Sequence, residues 1–170
     1  MNNSSPKPAG KLTIRPAIED DVKLILQFIN ELGEYEKLSH KVVATEEKLR
    51  KTLFKQKMAE VIIGEFKGEP VGFALFFHNY STFLGQAGIY LEDLYIKPEM
   101  RGRGFGKSIL KHLAKLALER DCGRFEWACL DWNDPAIGFY KSLGAEPQNE
   151  WTVYRITGET LRKMTEDESV

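Results

Sequence analysis

The chain has 170 residues, 42% of them hydrophobic and 29% charged, which predicts one globular domain with a sizeable core. Its formal net charge is −1, so no overall field favours nucleic acid or an anionic membrane as a partner. Apolar runs fall short of the roughly 18 residues of a membrane span, and no signal peptide is visible. Cys122 and Cys129 lack the spacing of metal ligands and read as reduced cysteines. We therefore expect a cytoplasmic protein that binds no metal, membrane or nucleic acid.

The sequence divides into a polar tail, residues 1–10, followed by a succession of strands and helices that forms a single domain over residues 11–170. Asp20 and Asp21 are suited to the start of a first helix, which Gly33 is expected to break, and Thr45 is suited to cap a second. The predicted strands are 11–15, a hairpin of 59–66 and 71–78, 89–96, 124–130 and 151–156; a loop is predicted over 79–88, and later helices over 104–119, 133–143 (capped by Asn133) and 157–164.

A glycine-rich turn between a predicted strand and a predicted helix is the most informative stretch of the chain. Gly102, Gly104 and Gly106 present bare backbone N–H groups beside the positive end of the helix dipole. Arg101, Arg103 and Lys107 add three positive charges at the same place. The turn is therefore a candidate site for a phosphate-bearing cofactor.

Two familiar phosphate-binding motifs do not match this turn. A P-loop needs a glycine where Arg101 stands, five positions before the glycine of Gly106-Lys107-Ser108. The dinucleotide fingerprint requires G-x-G-x-x-G, whereas residues 102–106 read G-x-G-x-G and follow several strands instead of opening the chain.

The turn instead matches the signature R/Q-x-x-G-x-G/A over residues 101–106, and in this it resembles the GCN5-related N-acetyltransferase (GNAT) superfamily. Further blocks are similar to the diamine (spermidine/spermine) and thialysine N-acetyltransferases: residues 90–93 (YLED), 131–135 (DWNDP) and 139–145 (FYKSLGA). The resemblance begins near Ile14 and extends to about Met164.

The resemblance implies an α+β fold whose mixed, mostly antiparallel central sheet is flanked by helices and splayed near Leu94, where acetyl-CoA binds. It implies a homodimer as well. The positions that it assigns to acetyl-CoA are Leu94, Tyr95, Ile96, Arg101, Gly102, Arg103, Gly104, Phe105, Gly106, Lys107, Asn133, Pro135, Ala136, Tyr140 and Lys141.

Acetyl transfer to an amine needs a group that assists loss of the ammonium proton and a group that protonates the departing thiolate. Glu92 is the candidate for the first role, because a carboxylate on an otherwise apolar strand is costly to bury without a partner. An ordinary salt bridge or a solvent-facing position is the alternative for Glu92. From sequence alone, Tyr140 beside Phe139 is more typical of a core position; the resemblance implies that it is the acid. No activating signature surrounds either cysteine, which favours direct transfer within a ternary complex.

The resemblance also assigns residues to a cationic acceptor: Tyr35, Glu36, Glu92, Glu150, Ser81 and Thr82. Spermidine/spermine enzymes carry Tyr-Asp-Pro-Trp where this chain has Tyr80-Ser81-Thr82-Phe83, so an acid that would pair with a distal amine is missing. A small amine or an amino-acid side-chain amine is therefore favoured over a long polyamine. A protein lysine or N-terminal acetyltransferase stays open, as does a non-catalytic acyl-CoA-binding module.

Overall fold

The computed structural model describes residues 10–166, and it divides them into two compact units, one ending at Ala128 and the next beginning at Cys129. Residues 1–9 of the predicted tail and residues 167–170 lie outside the described part. The single domain over 11–170 stays a prediction.

The first unit is built on a five-stranded sheet in the order β1-β2-β3-β4-β5. Its neighbouring strands are antiparallel except for β4 and β5, which are parallel. The predicted mixed, mostly antiparallel sheet is thereby confirmed. The strands are β1 Thr13–Pro16, β2 Glu60–Phe66, β3 Glu69–Ser81, β4 Gln86–Ile96 and β5 Arg124–Trp127.

Helices cover both faces of this sheet because its strands alternate apolar side chains between the two faces. One face packs against α1, Val22–Tyr35, where Phe28 stacks on Phe73 with ring centroids 5.6 Å apart. The other packs against α3, Phe105–Glu119, where the rings of Phe66 and Phe105 lie 5.1 Å apart. The remaining helical segments of this unit are α2 Glu46–Leu49, which continues with π-helical turns over Arg50–Lys55, and short 3₁₀ turns at Glu19–Asp21, Ser39–Lys41 and Pro98–Met100.

The helix α1 extends past Gly33, so the prediction that this glycine breaks the helix is wrong. A Cβ at Gly33 would lie 2.9 Å from a methyl group of Val42. The glycine therefore serves close packing against the following segment, and its low helix propensity is outweighed by tertiary contacts. Tyr35 is the last residue of α1 and Glu36 its C-cap. By contrast, Thr45 caps α2 as predicted, since its side chain accepts a hydrogen bond from Lys48 N.

The long hairpin of β3 and β4 is more regular than its sequence indicates. Pairing continues to Ser81 and Gln86, so the predicted loop over 79–88 shrinks to a tight tip. Ser81 closes that tip, because its Oγ accepts from Leu84 N and its carbonyl accepts from Gly85 N. Tyr80 in the strand and Phe83 at the tip are exposed, which explains why apolar pattern alone did not reveal the pairing.

The second unit contains α4, Asp134–Ser142, and α5, Gly158–Glu166. Asn133 caps α4 as predicted, with its side chain accepting from Ala136 N. The predicted strand over 151–156 is wrong: this segment has no regular structure and takes part in no strand pairing of residues 10–166. Its alternating pattern supplies two faces, but a strand also needs a hydrogen-bonding neighbour.

Among the helices of residues 10–166, none has the length and apolar character needed to cross a membrane.

Candidate active site

The glycine-rich turn has the backbone geometry that anion binding requires. Gly102 and Gly104 adopt φ values of 73° and 80°, a region that other residues enter only with strain. Gly104 is the N-cap of α3 and no side chain caps the helix. The helix's first hydrogen bond within the turn runs from Ser108 N to Gly104 O, so the N–H groups ahead of Ser108 have no helical acceptor. They remain available to a phosphate at the positive end of the helix dipole.

The charged side chains of the turn fit a pyrophosphate group. Lys107 is exposed in the first turn of α3. Arg103 lies over the ring of Phe66, 5.6 Å from its centroid, and its buried Nε has no hydrogen-bond partner in the described residues. A buried guanidinium nitrogen without a hydrogen-bond partner is unusual in a folded protein. The residues present are therefore suited to hold the phosphates of acetyl-CoA.

Arg101 has a different environment from the one that its sequence position indicates. Its Nε donates to the carbonyl oxygen of Ile96 at 2.9 Å, and its guanidinium lies over the rings of Tyr35 and Tyr95, 4.4 and 5.7 Å from their centroids. The side chain thus fastens the start of the turn to the end of strand β4 and to the end of helix α1.

The pairing of β4 with β5 ends three residues before Leu94, near which the sheet is predicted to splay, because β5 itself ends at Trp127. The β4–β5 pairing ends at Leu91 and Trp127, whereas β4 continues beside β3 to Ile96. The backbone of Leu94, Tyr95 and Ile96 therefore has a neighbouring strand on only one side. The Tyr95 ring is buried in the core; burial and a hydrogen bond to Glu31 raise its pKa to about 12. Any contact of Tyr95 with the coenzyme is thus left to its main chain.

Three carboxylates, those of Glu36, Glu92 and Asp93, lie near one another beside this part of β4. The register between β3 and β4 shifts so that Phe76 faces Leu91 and Leu75 faces Asp93, leaving Glu92 on a β-bulge. Glu92 is exposed, and Asp93 is half-buried. Desolvation, followed by the charges of Glu92 and Glu36, raises the pKa of Asp93 to about 6. Desolvation also raises the pKa of Glu36. The end of α1 and the bulge of β4 thus form one acidic site.

This geometry brings together predicted acceptor residues that are far apart in sequence, namely Tyr35, Glu36 and Glu92, and sets them beside Arg101 of the turn. Asp93 is not among the site residues predicted from the sequence. Strict alternation along β4 would put Asp93 on the same face of the sheet as Leu91. The bulge places it on the opposite face, and this is visible only in the structure.

Ser81 and Thr82 do not join the acidic site within one chain. Ser81 pairs with Gln86 at the hairpin tip, six residues along β4 from Glu92, which corresponds to roughly 20 Å. The hydroxyl of Ser81 is buried and engaged with Leu84 N. The residues at the tip therefore determine the shape of the hairpin. The replacement of the acid of the spermidine/spermine pattern at this tip does not change the acidic site of the same chain.

The remaining predicted site residues belong to the second unit. Asn133 is buried, and Pro135 and Ala136 lie in the first turn of α4. Tyr140 lies near the end of the same helix, with its ring 5.5 Å from that of Phe139. Lys141 and Glu150 are exposed.

Comparison with known proteins agrees with the fold and the turn. The sequence profile of the Acetyltransferase (GNAT) family matches residues 26–145. Thialysine N-epsilon-acetyltransferase of Sus scrofa is 43% identical over 165 residues, which cover 89% of this chain and 95% of that protein. L-ornithine N5-acetyltransferase of Arabidopsis thaliana is 32% identical over 197 residues, covering 89% and 86%. The solved structure of an integron cassette protein from the mobile metagenome of V. cholerae has a TM-score of 0.76 at 27% identity, covering 92% of this chain and 98% of that one.

A glycine turn ahead of helix α3, a mixed five-stranded sheet and these matches together define a class of enzyme, the acetyl-CoA-dependent N-acetyltransferases. The chain belongs to the acetyltransferase (GNAT) family. The predicted α+β fold of that family is confirmed, and so is the prediction of an enzyme over a non-catalytic module.

Proposed function

We propose that this enzyme transfers the acetyl group of acetyl-CoA to the primary amine of a small cationic acceptor, such as a thialysine-like amino acid or a short diamine. The observation that carries the proposal is the acidic site of Glu36, Glu92 and Asp93 beside the glycine turn, since carboxylates attract an ammonium group. Relatives named for thialysine and ornithine acetylation support the same class of acceptor.

In the proposed reaction, the first-turn N–H groups, Arg103 and Lys107 hold the phosphates of acetyl-CoA, which supplies an activated acetyl group. The main chain of Leu94, Tyr95 and Ile96 faces the thioester, because β5 no longer pairs with that part of β4. Tyr35, Glu36 and Glu92 hold the ammonium group, and Glu92 assists its deprotonation. The neutral amine then attacks within a ternary complex.

The proposal also gives roles to residues of the second unit, by resemblance. Tyr140 protonates the departing thiolate, since a phenol is acidic enough to donate to it. Asn133, Pro135, Ala136 and Lys141 contact the coenzyme, and Glu150 contributes a further negative charge for the acceptor. These roles come from the match of the DWNDP and FYKSLGA blocks to the family.

The proposal includes a homodimer in the cytoplasm. Support for a second copy comes from the segment 151–156, where Trp151, Val153 and Tyr154 are 72%, 84% and 92% exposed. An exposed apolar segment of this kind is typical of a protein interface. Support for a reducing compartment comes from the sequence, because Cys122 and Cys129 are seven residues apart and lack CxxC or metal-ligand spacing. Light scattering after size exclusion should give twice the chain mass, and Tyr154→Ser should shift it toward the monomer; a wild-type monomer at micromolar concentration would contradict the dimer.

The test of the function is an acetyl-CoA-dependent thiol-release assay against thialysine, lysine, ornithine, putrescine, spermidine, spermine and a lysine peptide. Selective turnover of the small amines is expected. Selective turnover of spermine would mean that another acid replaces the one missing near Ser81. Turnover of the peptide alone would refute the proposal and favour a protein acetyltransferase.

A further inference from the structure

Asp93 differs from Glu92 in the face of the sheet that it occupies. Asp93 lies opposite Leu75 and two residues before Tyr95, and both of these side chains pack into the core beneath α1. The bulge at Glu92 therefore places the Asp93 carboxylate on the α1 face, half-buried. Within residues 10–166 its side chain makes no hydrogen bond and no ion pair.

The charged groups around Asp93 do not compensate for this burial. Glu36 faces it from the end of α1 and Glu92 from its own strand, and both are negative. Leu75, its partner on β3, is apolar. Two cations lie on this side, and neither forms an ion pair with Asp93 within residues 10–166: the Arg101 guanidinium is over the Tyr35 ring with its Nε donating to Ile96 O, and the Lys97 ammonium is 5.8 Å from the centroid of the Phe28 ring. A half-buried carboxylate that faces two others destabilises the folded state. An uncompensated cost of this kind is typical of a group that interacts with a ligand.

We propose that Asp93 is the group that takes the proton from the acceptor's ammonium, while Glu92 and Glu36 hold the cation in place. The inference rests on the proposed function and deepens it, because it assigns the proton acceptor within the acidic site. Glu92 then assists deprotonation by positioning the ammonium, and the proton ends on Asp93.

The proton balance of the reaction is complete with this assignment. One ammonium proton passes to the Asp93 carboxylate, which later releases it to solvent. The neutral nitrogen forms a bond to the acetyl carbon, and the carbon–sulfur bond breaks. The thiolate takes a proton from the Tyr140 phenol, and the second proton lost by the nitrogen restores that phenol.

The environment of Asp93 suits this role chemically. Burial together with Glu92 and Glu36 raises the pKa of Asp93 to about 6, so the group is ionised at pH 7.5 yet more basic than an ordinary carboxylate. Glu92, exposed on the bulge, is placed to meet the substrate from solvent.

The test is the pH dependence of kcat/KM for thialysine at saturating acetyl-CoA. The wild type should lose activity on the acid side with an apparent pKa near 6. Asp93→Asn should lower kcat on the order of 100-fold and remove this acid limb, while the KM for acetyl-CoA stays unchanged. Glu92→Gln should keep the limb but move it to lower pH, because one of the charges that raise the pKa of Asp93 is gone.

Controls separate this role from a structural one. Asp20→Asn changes an exposed aspartate outside the site and should leave the profile unchanged. Asp93→Glu keeps a carboxylate and should retain the limb at reduced kcat, and acetyl-CoA binding reports whether each variant is folded. An acid limb that survives in Asp93→Asn, or one that vanishes in Glu92→Gln with Asp93 intact, overturns the inference and leaves the proposed function standing. A wild type that acetylates no amine refutes the proposed function itself.

Discussion

The guanidinium of Arg101 lies over the ring of Tyr35, 4.4 Å from its centroid. Arg101 begins the glycine-rich turn and Tyr35 ends helix α1, directly before its C-cap Glu36, a proposed acceptor residue. The contact thus connects the two halves of the proposed active site within the first unit.

Replacing Tyr35 should therefore affect the acceptor more than the coenzyme. A cation–π contact is worth about 0.5–2 kcal/mol, so Tyr35→Leu should raise the KM for thialysine by about twofold to thirtyfold. The KM for acetyl-CoA should not change, because Arg101 keeps its bond to Ile96. Steady-state kinetics with each substrate varied in turn will measure both values. Tyr80→Leu, at an exposed position of the hairpin, is the matched control, and equal effects of the two variants would contradict the role of Tyr35.

Gly104 and Gly106 offer a matched pair in the coenzyme turn. An added Cβ meets nothing within 4 Å at either position, but only Gly104 has a positive φ, +80°. Gly104→Ala should therefore lose about 1 kcal/mol of stability and weaken acetyl-CoA binding, whereas Gly106→Ala should retain both. Calorimetric titration with acetyl-CoA and thermal melting will distinguish them. An equal loss of stability and of acetyl-CoA affinity in the two variants would show that the positive φ of Gly104 is not the cause.

Asp93→Asn should stabilise the protein while it inactivates it. The pKa of Asp93 rises from 3.8 to about 6 on folding, so the folded state holds this proton more tightly than the unfolded one. Ionisation therefore costs stability as pH rises through this window, and above pH 6 the full cost applies. Removing the charge should raise the free energy of unfolding at pH 8 by on the order of 2 kcal/mol, with little gain at pH 4. Urea titrations at both pH values will measure it, and a loss of stability at pH 8 would indicate a structural role.

The pKa of Asp21 shifts in the opposite direction from that of Asp93, so its effect on stability should depend on pH in the opposite way. Hydrogen bonds from Arg15, whose second partner is Glu65, lower the pKa of Asp21 below its usual value. Its stabilisation is thus present at neutral pH and is lost as pH falls through its folded pKa. Asp21→Asn should destabilise the protein at pH 7 by about 1 kcal/mol, the upper end of the range for surface ion pairs, since both side chains of the pair are partly buried. The same urea titrations will show whether that difference disappears in acid, and a difference that persists there would contradict the ion-pair explanation.

Tyr140→Phe should lower turnover and leave acetyl-CoA binding intact, because in the proposed mechanism the phenol acts on the departing thiolate and not on the phosphates. Measurements of kcat across pH together with a binding titration will test this. Phe139→Leu is a neighbouring control on the same helix. Unchanged turnover at every pH would remove Tyr140 from the mechanism.

Much of the fold follows from local pattern, because amphipathic spacing and caps determine where helices begin. Thr45, Gly104 and Asn133 all start helices where the sequence predicts. Gly33 does not end its helix, since close packing against Val42 is a tertiary property that composition does not reveal. The segment 151–156 has strand-like alternation, but its pairing depends on a neighbour that its own sequence cannot specify.

The sequence predicts which residues belong to the candidate site better than it predicts how they are arranged. Glu36 and Glu92 were identified by resemblance, and the structure brings them together. The assignment of Ser81 to the acceptor is not supported within one chain, because pairing extends the hairpin and carries its tip away. Asp93 was missed because a bulge changes the face on which every later residue of β4 lies.

The most direct test of the acidic acceptor site compares Glu36→Gln with Glu34→Gln. Glu36 caps α1 and faces Asp93, whereas Glu34 is exposed two residues earlier in the same helix. Initial rates with thialysine and saturating acetyl-CoA give kcat/KM for each variant. We predict a loss of about tenfold for Glu36→Gln, consistent with one lost charge contact of about 1.4 kcal/mol, and no change for Glu34→Gln. Full activity of Glu36→Gln, or equal losses in both variants, would contradict the location of the acceptor site.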